Sequence, residues 1–224
     1  FSNVTGTNNS AVGYSALYNN TANYNNAFGY EALNQNTSGS PNDAFGYQAL
    51  RSNTTGTQNV AVGYQSLYSN TIGTSNVGVG YQTLYSLTTG AGNTGVGNTA
   101  LYAISTGTQN TAIGNNNLKS VSSGSFNTGV GSDCLPVNTA SGNTAVGQGA
   151  MYRNTTGSGN TAVGQSALNN NTTGGGNVAV GNDTLPTNTV GQYNTAVGNS
   201  ALNQNTTDEN TGIGSSCCRN ISSG

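Results

Sequence analysis

One pattern of small, apolar and polar residues recurs along the whole chain. It begins with Asn-x-(Ala/Gly)-(Val/Ile/Phe)-Gly, and successive copies lie 16 or 17 residues apart. A period held over so many copies is the sequence signature of a repeat architecture. We therefore interpret residues 1–224 as a single repeat array, in which residues 1–8 form a partial coil and thirteen repeats start at residues 9, 25, 42, 59, 76, 93, 110, 127, 143, 160, 177, 194 and 210.

Each repeat places the same residue types at the same positions, which we number as registers with the asparagine at register 1. Register 5 is glycine in all thirteen repeats, register 3 is only alanine or glycine, and register 4 is valine, isoleucine or phenylalanine. Register 9 is leucine in eleven repeats, with Met151 and Cys218 as the exceptions. Registers 12 to 15 read Asn-Thr-Thr-Gly or close to it. Apolar positions bounded by glycine and asparagine turn signals predict short strands.

These registers predict an all-β fold, because helices would not accept glycine, asparagine and threonine in every turn. We expect a β-solenoid (parallel β-roll) of about thirteen 17-residue coils, with strands at registers 2–4 and 7–10. The register 5 glycine turns one corner through a positive φ or a close backbone approach, and Asn-Thr-Thr-Gly turns the other. The register 1 asparagines either stack into an amide ladder or only fill a turn position that asparagine tolerates.

Strand alternation assigns a core and a contact surface. If register 4 faces the core, register 3 faces outward. Since register 3 never exceeds alanine in size, we expect it to pack closely against another copy of the protein, in a homotrimer or a bundled filament. The predicted core residues come from registers 4 and 9: Val12, Leu17, Val62, Leu67, Val163 and Leu168.

The motif resembles two groups of fibrous proteins. "NTAVG", "SAL" and "NTTGxGN" within residues 143–176 are similar to the head repeats of YadA-type trimeric autotransporter adhesins and to the Asn-Thr-Ala-Val-Gly repeat shafts of phage tail fibres. The resemblance implies an extracellular or virion-surface β-roll, usually trimeric, that serves as a shaft or an adhesive surface. The repeat here is longer than the adhesin pattern. We expect a structural subunit of an extracellular fibre or filament; the alternative is an adhesin or tail-fibre segment that binds surface glycans or receptors.

The number and distribution of charged residues limit the kinds of partner that the protein could bind. Charged residues make up only 4% of the chain, and the formal net charge is −2. Arg51, Lys119, Arg153 and Arg219 lie far apart, which argues against nucleic acid as a partner. No run of about 18 apolar residues occurs, so no membrane insertion is expected. Histidine is absent and no nucleophile–base arrangement is visible, so we expect neither an enzyme nor a cofactor or metal site.

Five successive tyrosines form one candidate site. They occupy register 6, where stacked coils would bring them into a ladder that either binds sugar rings or packs against a neighbouring chain. After the fifth repeat the register becomes asparagine, serine or glutamine. The ladder residues are Tyr14, Tyr30, Tyr47, Tyr64 and Tyr81.

Two kinds of covalent modification are also candidates. Six Asn-x-Ser/Thr sequons fall at register 12, in the Asn-Thr-Thr-Gly corner, where a glycan would point into solvent. Their abundance also follows from a composition rich in asparagine and threonine. An odd number of cysteines and a position near the chain end make Cys217 a candidate for an inter-chain disulfide. The six candidate glycosylation sites are Asn3, Asn36, Asn53, Asn154, Asn171 and Asn205.

Overall fold

The computed structural model describes residues 5–218, and within them every regular element is a β-strand. The strands occupy the predicted registers 2–4, in three cases with the register 1 asparagine as well, and pair in parallel one repeat apart. This confirms the prediction of an all-β solenoid. The strands are β1 Ser10–Val12, β2 Asn25–Phe28, β3 Asn42–Phe45, β4 Asn59–Val62, β5 Val77–Val79, β6 Thr94–Val96, β7 Thr111–Ile113, β8 Thr128–Val130, β9 Thr144–Val146, β10 Thr161–Val163, β11 Val178–Val180, β12 Thr195–Val197 and β13 Thr211–Ile213.

The chain divides into two compact units. The first spans Phe1–Asn110 and contains β1–β6, and the second spans Thr111–Gly224 and contains β7–β13. The boundary falls inside one repeat, between its asparagine and the first strand residue. Both units are therefore parallel β-solenoids built from the same repeat.

The predicted second strand at registers 7–10 is wrong. This segment is a series of turns in every repeat whose residues are described. Registers 7 and 9 have left-handed backbone, with φ of 51° at Gln65 and 53° at Leu67, which no β-strand tolerates. Their amides still bond to neighbouring coils: Gln65 N–H donates to Tyr47 O at 2.8 Å, and Leu67 N–H to Thr83 O at 2.9 Å. The coil stack is thus continued by turns as well as by strands.

Left-handed backbone explains why register 9 holds leucine instead of valine or isoleucine. A β-branched side chain is a genuine outlier at positive φ, whereas an unbranched Cβ is strained but tolerated. Leu84, Leu118 and Met151 have φ of 55°, 49° and 51°. The strand register 4, in contrast, carries valine and isoleucine, which fit extended backbone. The two apolar registers are chemically distinct because their backbone conformations differ.

Both predicted reasons for glycine at register 5 are present. Its φ is 124° at Gly63 and 134° at Gly164, a region in which only glycine is unstrained. A Cβ added to Gly63 would also overlap the carbonyl oxygen of Gly80 in the next coil. No side chain therefore fits this corner.

The predicted core is correct at register 9 and wrong at register 4. Leu17, Leu67 and Leu168 are at most 1% exposed. The register 4 side chains of Val12, Val62 and Val163 point outward and are 59%, 37% and 37% exposed. The alanine or glycine of register 3 faces the interior instead, as Ala61 and Ala162 illustrate with 0% exposure.

The interior is too narrow for more than an alanine at register 3. A Cβ added to Gly78 would lie 2.5 Å from Ser66 Oγ, and one added to Gly95 would lie 2.6 Å from Thr83 Cγ2. Ser66 and Thr83 occupy register 8 of the preceding coil, where most repeats have alanine. Glycine at register 3 thus accommodates Ser66 and Thr83, whereas Ala196 follows Thr184 in the second unit. Register 3 therefore does not face another chain, contrary to the prediction from its small residues; the small size follows from packing inside the coil.

Candidate functional site

The register 1 asparagines form the amide ladder that was one of the two predicted alternatives. Asn59 donates from its main-chain N–H and its Nδ2 to Asn42 Oδ1, at 3.0 and 3.1 Å. In the second unit, Asn160 makes the same two bonds to Asn143 Oδ1, at 3.0 and 3.3 Å. All four side chains are buried. The ladder therefore supplies a hydrogen-bond partner for polar groups that water does not reach.

A second ladder, which the sequence analysis missed, runs along register 12. Asn53 Nδ2 donates to Asn36 Oδ1 at 2.7 Å, and Asn70 Nδ2 donates to Asn53 Oδ1 at 2.8 Å. The two ladders meet at the register 15 glycine, since Gly56 O accepts from Asn42 at 2.9 Å and from Asn53 at 3.0 Å. This shared carbonyl group links the two ladders in coils such as this one, which have asparagine at both registers.

The expectation that the register 12 asparagines point into solvent is wrong. Asn36, Asn53, Asn154, Asn171 and Asn205 are all 0% exposed. Their Nδ2 atoms, to which an N-linked sugar would be attached, donate hydrogen bonds within the interior. These five residues cannot carry a glycan in the folded protein. The sixth candidate, Asn3, lies outside the described residues.

The register 12 ladder ends where aliphatic residues replace asparagine. Leu87 and Ile104 occupy this register in the first unit and Val121 in the second, all fully buried. Because Leu87 follows Asn70, the Oδ1 atom of Asn70 is buried without a hydrogen-bond partner. These substitutions show that register 12 accepts either an amide ladder or an apolar core.

The register 6 tyrosines stack as predicted. In the first unit, neighbouring ring centroids lie 5.1–5.3 Å apart with interplanar angles of 6–13°. Tyr47 and Tyr64 are 41% and 43% exposed. Within the ladder the ring faces are turned to each other, so the surface presents ring edges and hydroxyl groups. Only the end members, Tyr14 and Tyr81, have a ring face without a register 6 tyrosine beside it.

A polar ladder accompanies the tyrosines at register 7. Gln65 Nε2 donates to Gln48 Oε1 at 2.9 Å, and Gln48 Nε2 donates to Glu31 Oε2 at 2.8 Å. Arg51 Nε donates to the same Glu31 oxygen at 2.7 Å. The hydrogen bond from Arg51, supported by that from Gln48, holds the pKa of Glu31 below its usual value. This row fixes the neighbouring coils beside the aromatic column.

The sequence analysis also missed a second tyrosine ladder, at register 10. Tyr68, Tyr85 and Tyr102 stack at centroid distances of 5.1 and 5.2 Å, and the Arg51 guanidinium lies 5.8 Å from the ring of Tyr68. The repeat alignment contained the signal, because these three tyrosines follow one another at a single register. The first unit thus carries two aromatic columns, one at register 6 and one at register 10, which precede and follow register 7 in the repeat.

An exposed apolar column at register 4 adjoins the register 6 ladder across the register 5 glycines. In the first unit it contains Phe28 and Phe45, whose rings stack at 5.0 Å and are 38% and 39% exposed. Val12 and Val62 continue the column. Residues 5–218 contain no detected pocket and no group of three histidine, cysteine, aspartate or glutamate side chains that could hold a metal ion. The distinctive surface is therefore open and aromatic.

The three cysteines occupy different environments. Cys134 is buried, and burial raises the pKa of its thiol to about 11. Cys217 is half-buried and Cys218 exposed, with their sulfur atoms 3.1 Å apart. The inter-chain disulfide at Cys217 stays a prediction.

The fold and this surface define a β-solenoid repeat protein. Comparison with protein-family models, with curated proteins and with solved structures found no match. No helix in the described part of the chain is long and apolar enough to cross a membrane.

Proposed function

We propose that the protein is a structural subunit of an extracellular fibre or filament. The observation that carries this proposal is that many polar side chains form hydrogen bonds to the neighbouring coil. Buried asparagines bond from one coil to the next in both units, as Asn59 does to Asn42. Half-buried glutamines and threonines add further bonds between coils in the first unit, as Gln65 does to Gln48 and Thr54 Oγ1 to Thr71 O. Stacked amide ladders of this kind give cross-β assemblies their resistance to separation. A fibre subunit needs this resistance.

Two further observations support self-association and location. The register 4 side chains form an exposed apolar column in both units, and contiguous exposed apolar surface is typical of protein–protein contacts. The extracellular or virion-surface location is supported by the resemblance of the repeat to autotransporter heads and phage tail-fibre shafts.

The alternative, an adhesin segment that grips glycans, has less support. Sugar rings stack on the flat faces of aromatic side chains, and inside the register 6 ladder those faces are turned to neighbouring tyrosines. A glycan would have to bind ring edges and hydroxyl groups. A glycan array separates the two functions, because retained self-assembly without glycan binding favours the structural one.

Electron microscopy of the native material tests the proposal. Continuous fibres that contain this chain are the expected result. Isolated single chains at every concentration would contradict a structural fibre subunit.

A further inference from the structure

We infer that copies of the protein pack against each other through the aromatic face of the first unit. This inference deepens the proposed function and rests on it for the partner, a second copy of the chain. The aromatic face consists of the register 6 ladder and the neighbouring part of the register 4 column: Tyr14, Tyr30, Tyr47, Tyr64, Tyr81, Val12, Phe28, Phe45 and Val62.

The size of the face suits a protein partner. A fully buried aromatic side chain covers about 150–250 Å². With exposed fractions between 38% and 70%, its seven aromatic rings leave on the order of 600 Å² accessible, before the two valines are counted. This is at the upper limit of about 300–600 Å² for the largest apolar patch on a typical monomer. It approaches the roughly 800 Å² that each partner buries in a standard interface.

The spacing of the face selects a second copy among protein partners. Ring centroids repeat every 5.1–5.3 Å along the ladder, close to the ~4.8 Å separation of neighbouring strands. Another coil stack of this chain carries rings and valines at the same repeat distance. Its side chains can therefore contact the ring edges of the first copy at each repeat over the full length of the ladder, whereas an unrelated surface would match at one or two positions.

The two carboxylates next to the face, Asp43 and Glu31, each accept a hydrogen bond within the chain. Asp43 lies beside Phe45 and accepts a hydrogen bond from Asn26 Nδ2 at 2.7 Å. Glu31 is paired with Arg51. Because the face itself contains no charged side chain, docking of a second copy would bury ring edges, methyl groups and tyrosine hydroxyl groups, which is the composition of protein interface cores.

The repeat itself supplies a substitution that preserves the fold. The second unit has asparagine at register 6 in Asn115, Asn182 and Asn199, so the triple variant Y30N/Y47N/Y64N keeps residues that the coil accepts. A matched control is Y68N/Y85N/Y102N, which removes three stacked tyrosines at register 10, where Asn34, Asn169 and Asn203 occur naturally. Circular dichroism verifies that both variants remain folded.

The experiment measures self-association by light scattering coupled to size-exclusion chromatography, with electron microscopy of the same samples. We expect the wild type and the register 10 variant to associate. The association constant of the register 6 variant should be lower by roughly 100-fold or more, because three central aromatic anchors are removed. Equal association of all three proteins would overturn the aromatic-face interface while leaving the fibre function intact. A monomeric wild type at all concentrations would also overturn it, and micrographs of the native material would then decide the fibre function separately.

Discussion

In the first unit register 6 holds tyrosine in five of six repeats, whereas in the second unit the same register holds only asparagine, serine or glutamine. The interiors of the two units are built on the same three registers. Ala61 and Ala162 face inward at register 3, Leu67 and Leu168 fill register 9, and asparagine ladders run along register 1 in both units. The interior specifies the coil, and the outer registers are free to specify what the coil contacts.

The largest predicted effect is the same in both units and concerns the corner glycine. Gly63→Ala and Gly164→Ala each place a Cβ against the carbonyl of the next coil at a φ that strains any other residue. We expect each to lower the free energy of unfolding by roughly 2–5 kcal/mol. Denaturant unfolding measures this loss, with Thr55→Ala as the control because Thr55 is exposed. A loss below about 0.5 kcal/mol, the usual range for surface changes, would show that the corner is not rigid.

The ladders should show the next largest effect, again in both units. Asn59→Ala removes the acceptor of the Asn76 main-chain N–H and Nδ2, which lie at 3.0 and 3.2 Å, and Asn160→Ala does the same to Asn177. Leaving buried donors unpaired costs about 1–3 kcal/mol each, so we expect a loss of about 2–4 kcal/mol. A much smaller loss in one unit would mean that the two interiors are not equivalent.

The left-handed backbone at register 9 predicts an unusual preference among isomers. Leu67→Ile should cost about 1–3 kcal/mol, because a β-branched residue is strained at φ 53°. Leu67→Met should cost less than about 1.5 kcal/mol, since Met151 occupies this register in the second unit. Thermal unfolding of the pair, and of the matched Leu168 variants, measures the difference. Equal stability of the two substitutions would argue against the positive φ.

Transfer of the register 6 tyrosines to the second unit is predicted to change the free energy of unfolding only slightly. Q148Y/Q165Y/N182Y installs three tyrosines at register 6 of the second unit. Gln148 and Gln165 are exposed and Asn182 is half-buried, and the same register holds a stacked ladder in the first unit. We therefore expect a change in stability within roughly 1 kcal/mol and stronger self-association by light scattering. Unfolding of this variant would show that the surface and the interior are coupled.

The smallest effect is expected from the Glu31–Arg51 pair, the ion pair identified within residues 5–218. The folded-state pKa of Glu31 is lowered, so the pair stabilises the protein above the unfolded pKa of about 4.3. That contribution is lost as pH falls through the folded pKa. For a solvent-accessible pair it amounts to less than about 1 kcal/mol. The free energy of unfolding, measured at pH 5 and pH 3, should show this loss in the wild type. The Glu31→Gln variant should lose less stability between the two pH values, because it lacks the contribution of the pair.

The period and the residue types at fixed registers were sufficient to predict the solenoid, the strands at registers 2–4 and the register 6 ladder. It did not decide which side of the strand faces inward. The larger side chain of register 4 was assigned to the core, but leucine from register 9 already fills the interior, and only alanine or glycine fits beside it. A repeat period shows which residues lie on the same face of the coil, but it does not show which face is buried.

Register 12 was misassigned for a related reason. Asn-Thr-Thr-Gly is typical of a solvent-exposed turn, and its amides are buried here because each has a partner in the next coil. Leu87, Ile104 and Val121 at the same register were a sequence signal of burial. Polar residues that alternate with aliphatic ones at a fixed register indicate an interior ladder.

The central claim is that this solenoid is a structural protein that assembles with itself. Cryo-electron microscopy of the native material tests it most directly, because density at side-chain detail shows both the assembly and its contacts. We expect fibres in which the rings of Tyr30, Tyr47 and Tyr64 lie against a second copy. Isolated chains with these tyrosines facing solvent would contradict it.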